Sequence, residues 1–181
     1  MLLLFLFAAV ASLRNRQGRP VALDELIPSF LPVDTEAFAE LVASVGKAQE
    51  LSRSEFLKIE RNRTALAVDC LKRMSQNAAL LQRLGYSQLQ CGNPLISDLA
   101  QQMIDAGVHV RLYTFIGLLA LRVRSIFRRT SIEILSAAKV AELEKMLSGS
   151  LIPAYEQLKD KAGNLTCLKF SALHEALSQT L

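Results

Sequence analysis

Tryptophan is absent from this chain, and only 6% of its residues are aromatic, so side chains on which nucleic-acid bases could stack are scarce. Five prolines and eight glycines among 181 residues are few, which excludes collagen-like, linker-like or disordered bulk. The three cysteines, Cys70, Cys91 and Cys167, are odd in number and widely spaced, with no CxxC pair. Neither a disulfide framework nor a zinc site is indicated, and they read as small buried thiols. There are two histidines, His109 and His174, neither with a second ligand at helical spacing. His174-Glu175 opens like a zinc-protease motif, but Ser178 stands where the second histidine is needed. Neither GxGxxG nor GxxxxGK[ST] occurs, so no phosphate-cradling loop is encoded. No metal and no cofactor is expected.

The charge balance is mildly basic, with 21 Lys and Arg against 17 Asp and Glu, a net +4. Such a balance permits contact with lipid or nucleic-acid phosphate without demanding it. Hydrophobic residues make up 51%, at the upper edge for a water-soluble protein, and the length suits one domain with a real core.

Much of that apolar excess is local. The opening MLLLFLFAAVASLRNRQGR has no charged side chain in its first thirteen residues and then three arginines, Arg14, Arg16 and Arg19. As a cleaved secretory signal it lacks a positive n-region, and the downstream arginines resist translocation. As a core helix it lacks a polar stripe, being apolar on every side from Leu2 to Ala11. As a membrane anchor it is short, roughly 20 Å of helix against a hydrocarbon core of about 30 Å. It can still enter one leaflet, or span with local thinning. The anchor reading is favoured: Leu2, Leu3, Leu4, Phe5, Leu6, Phe7 and Val10 enter the lipid. Arg14, Arg16 and Arg19 then meet cytoplasmic headgroups, each adding about 1 kcal/mol on an anionic surface.

Residues 1–19 are thus an apolar anchor with a basic flank, and 20–33 a connector broken by Pro20, Pro28 and Pro32. Residues 34–181 read as a single helical domain. Asp34 or Thr35 can cap a helix carrying Phe38, Leu41, Val45 and Ala48 at steps of three and four. Ser52-Arg53-Ser54-Glu55 offers a capping box. Ala67, Leu71, Met74, Ala78 and Leu81 then keep a 4-3-4-3 spacing, a coiled-coil-like seam that Gly85 is expected to stop. Asn93 caps the next helix with Pro94 in its first position. Its series Ile96, Leu99, Met103, Ala106, Val110, Tyr113 and Gly117 alternates three and four throughout. A strand over GVHVRLYTF is rejected, since no second strand of like quality exists to pair with it. Ile132, Leu135, Val140, Leu143 and Leu147 predict a further helix ended by Gly149. Pro153, Tyr155 and Leu158 predict a shorter one ended near Gly163, with a last helix carrying Phe170, Leu173 and Leu177. The expected fold is all-α: an elongated bundle of long antiparallel helices preceded by a short apolar N-terminal helix.

Catalytic constellations are weak. Ser136-Ala137-Ala138-Lys139 fits SxxK, but SDN and KTG companions are missing. Asn62 and Asn164 head glycosylation sequons that matter only in a secretory lumen. Glu142 and Glu144 lie on different faces, while Glu36 and Glu40 suit a first helical turn. An enzyme is therefore not expected. One cluster stands out. Arg111, Arg122 and Arg129 fall within about 20° of one another on a helical wheel, and Arg124 and Arg128 share another face. No acid lies between Asp105 and Glu133. These arginines form an anion-binding surface, or pair with glutamates such as Glu55 and Glu60. Between them LYTFIGLLAL, ten uncharged residues, is expected to be the most buried stretch of the bundle.

The leading expectation is a membrane-tethered, non-enzymatic interaction or scaffold protein. It contacts lipid through its first segment, and a homo-oligomer or protein partner through its long helices. A soluble bundle binding nucleic acid or another polyanion through the arginine cluster is the first alternative. A lipid- or small-molecule-binding protein or enzyme with a pocket near Phe115 and Leu119 is the second.

Overall fold

The computed structural model describes residues 29–43, 53–89, 93–129 and 145–180. The expected N-terminal helix, the arginines at 14, 16 and 19, connector residues 20–28, the SxxK match, and Glu142 and Glu144 lie outside them. Among the described residues every regular element is helical and no strand occurs, so the fold is all-α. In chain order the helices are α1, Thr35–Ala43; α2, Arg53–Gln88; α3, Pro94–Arg129; and α4, Ile152–Thr180. A π-helical turn, Leu147–Leu151, leads into α4.

The capping chemistry starts α1 and α3 where expected. The Asp34 carboxylate accepts the Ala37 N–H at 2.8 Å, and the Asn93 side-chain oxygen accepts the Leu95 N–H at 3.0 Å. Each satisfies a donor that the first helical turn would leave orphaned. The Ser97 hydroxyl in the first turn of α3 donates to the Leu89 carbonyl, just past the end of α2, at 3.4 Å.

Contacts divide the chain into two compact units whose boundaries fall inside α2 and α3. One unit holds Asn77–Val110 and Ala154–Leu181. There α2 and α3 run antiparallel, with Gly85 facing Ala100 and Ile104 while Gly107 faces Ala78 and Gln82. Ala78, Leu81, Leu84, Ile96, Ala100, Met103, Ile104 and Val110 are buried, together with Tyr155, Leu158 and Leu165 of α4. Each large apolar side chain so buried stabilises the fold by roughly 1.5–3 kcal/mol. Lys161 Nζ donates to Gln102 Oε1 at 2.7 Å, joining α4 to α3.

The other unit holds Leu31–Gln76 and Arg111–Pro153. Phe38, Ala67, Leu71, Met74, Leu121, Leu147 and Leu151 are its buried apolar residues, with Thr114 fully enclosed. Gly117 lies between Leu71 and Leu147, and α1 packs on the π turn. Arg73 accepts no such burial: it pairs with Asp69 at 2.8 Å and reaches the Pro32 carbonyl at 3.4 Å.

Four expectations are corrected. Gly85 does not stop α2, which continues to Gln88. A Cβ there would meet Ile104 Cγ1 at 2.8 Å and the Ala100 carbonyl at 3.0 Å, so Gly85 is a packing position that lets two backbones approach. The α3 seam uses Ala100, Gly107 and Thr114 where Leu99 and Tyr113 were expected; the latter pair is half-buried. At Gly107 a Cβ would run into the Gln82 side chain and come within 3.3 Å of the Ala78 carbonyl, so no larger residue fits there. Gly149 and Gly163 end nothing. The Ile152 N–H donates five residues back to the Leu147 carbonyl, so the chain passes Gly149 as a π turn, the kind of adjustment that accommodates Pro153. Nothing lies within 4 Å of a Cβ at Gly163, and α4 runs through it to Thr180. Finally, LYTFIGLLAL is buried on one side only: Thr114 is 0% exposed, while Phe115 is 44% and Leu119 47% exposed.

Candidate functional site

The face of α3 turned away from its packing contacts changes character along its length. From 98 to 109 it is polar, with Asp98, Gln101, Gln102, Asp105 and His109 all exposed. Two side-chain pairs one turn apart decorate it: Gln102 Nε2 donates to Asp98 Oδ2 at 2.9 Å, and Gln101 Nε2 donates to Asp105 Oδ1 at 3.1 Å. Past Val110 the outer face turns apolar through half-buried Leu112 and exposed Phe115 and Leu119, then closes on exposed Arg122. An exposed Leu is ordinary on its own. Here Phe115 and Leu119, four residues apart on one helix, share a side. Phe115 and Leu119, near which a pocket was expected, are 44% and 47% exposed.

Of the arginine cluster, Arg122 is exposed. Arg111 is half-buried, with its Nε sunk out of solvent, and its backbone carbonyl accepts the Thr114 hydroxyl at 2.9 Å. Arg124, Arg128 and Arg129 belong to the last turns of α3. Of the glutamates considered as their partners, Glu55 is exposed and Glu60 is buried at 2%. The anchor residues Leu2, Leu3, Leu4, Phe5, Leu6, Phe7 and Val10 lie outside the described residues.

Among the described residues no three His, Cys, Asp or Glu groups converge as metal ligands would. Cys167 is exposed rather than buried, and Cys70 is half-buried. Burial, reinforced by Asp69 and Asp34 and opposed by Arg73, pushes the Cys70 thiol above its ordinary range. Burial likewise raises the Tyr155 hydroxyl, against the lowering effect of its bond from Asn77. Lys159 is raised chiefly by its hydrogen bond to Glu156 at 2.9 Å. Asn62 and Asn164 both lie within helices, and both are exposed.

Neither a family model, a curated protein nor a solved structure matches the chain. The outer row on α3 was hidden in the sequence because its apolar residues merge with those of the inner seam into one uncharged run. The 3-4-3-4-3 spacing of Asp105, Val108, Leu112, Phe115, Leu119 and Arg122 is the signal that separates the two.

Proposed function

We propose that this chain is a membrane-tethered helical interaction protein with no catalytic role. Residues 1–13 enter the lipid, Arg14, Arg16 and Arg19 hold the cytoplasmic headgroups, and the helical region presents a docking face to a protein partner. The observation that carries the interaction half is the exposure of Phe115 and Leu119 on α3, with half-buried Leu112 beside them. The anchoring half rests on the sequence of the first nineteen residues.

By length and composition α3 is itself sufficient to cross a membrane over Pro94–Val123. Its exposed Asp98, Gln101, Gln102, Asp105 and His109 argue for water instead, because polar and charged groups turned toward lipid are costly.

Fractionation tests the proposal. The full chain should pellet with membranes and resist a high-salt wash, and Leu4→Arg with Leu6→Arg should release it. Full-length protein recovered in the soluble fraction at low salt, with residues 1–13 intact, would overturn the tether.

A further inference from the structure

We draw no further inference here: the strongest candidate, the exposed apolar patch of Phe115 and Leu119 on α3, carries nothing because nothing in the structure shows what covers it.

Discussion

The Asn77 side-chain amide donates to the Tyr155 hydroxyl across 2.8 Å, joining two residues that lie 78 positions apart in the chain. Both are buried, at 3% and 4% exposure. In that setting a polar atom must find a partner, and losing one costs more than the bond is worth in water. The pair therefore selects the placement of α4 against α2 that lets these two groups meet.

Replacing Tyr155 with Phe keeps the ring and removes one oxygen. The expected loss is about 1 kcal/mol of unfolding free energy, read as a lower urea midpoint with an unchanged slope. A variant as stable as wild type would show the bond to be idle.

Tyr155 also makes stability depend on alkaline pH. Its hydroxyl is raised above the ordinary value of 10.0, mainly by burial. The unfolded chain therefore releases that proton first. Stability from this group is complete below about pH 10 and is lost as pH rises from there through the folded value. Between about pH 9 and pH 11, wild type should lose more stability than Tyr155→Phe, which carries no proton to release. Parallel curves for the two proteins would contradict the raised value.

Alanine at the glycines should divide by location. Gly163→Ala gains helix propensity in open space and should stabilise by about 0.5–1 kcal/mol. Gly85→Ala earns the same propensity but forces Ile104 and the Ala100 carbonyl to move, and should cost about 1–2 kcal/mol net. Thermal midpoints of the two variants, moving in opposite directions, are the check.

Leucines on opposite sides of α2 should part company in the same way. Leu71 is 0% exposed and meets Gly117, while Leu66 is 57% exposed. Leu71→Ala should cost about 2–5 kcal/mol through the cavity it leaves. Leu66→Ala should stay within about 0.5 kcal/mol of wild type. Chemical denaturation distinguishes them directly.

Thiol labelling should follow exposure and acidity. Cys167 is open to solvent, while Cys70 is half-buried with a raised thiol. At pH 8 a maleimide should modify Cys167 at least about tenfold faster than Cys70, because the thiolate is the reactive form. Peptide mapping by mass spectrometry resolves each site. Equal rates would show that α2 opens around Cys70.

Helix existence was legible in this chain because spacing alone decides it. Ala67, Leu71, Met74, Ala78 and Leu81 announce their shared face, and Asp34 and Asn93 announce two of the starts. Helix ends were less legible, because Gly85, Gly149 and Gly163 look alike in a sequence. Only the neighbouring helix reveals that Gly85 is a contact, and only the Leu147 carbonyl reveals how the chain passes Gly149. Polar core members were passed over for a similar reason. Asn77, Gln82 and Thr114 are buried beside partners distant in sequence, such as the Ile104 carbonyl that Gln82 reaches at 3.3 Å. The outer row of α3 needed burial to be told from the inner one, since composition gives both the same apolar letters.

The closeness of α2 and α3 at Gly85 and Gly107 has an evolutionary consequence. Leucine against leucine can be exchanged for methionine or isoleucine, because side chains can rotate out of the way. The Ala100 carbonyl, 3.0 Å from where a Cβ at Gly85 would stand, and the Ala78 carbonyl, 3.3 Å from one at Gly107, are main chain and cannot. As lineages drift apart, the large apolar letters should scatter first. The interval from Gly85 to Gly107 should persist longest, and it is the feature by which distant kin of this chain could be recognised.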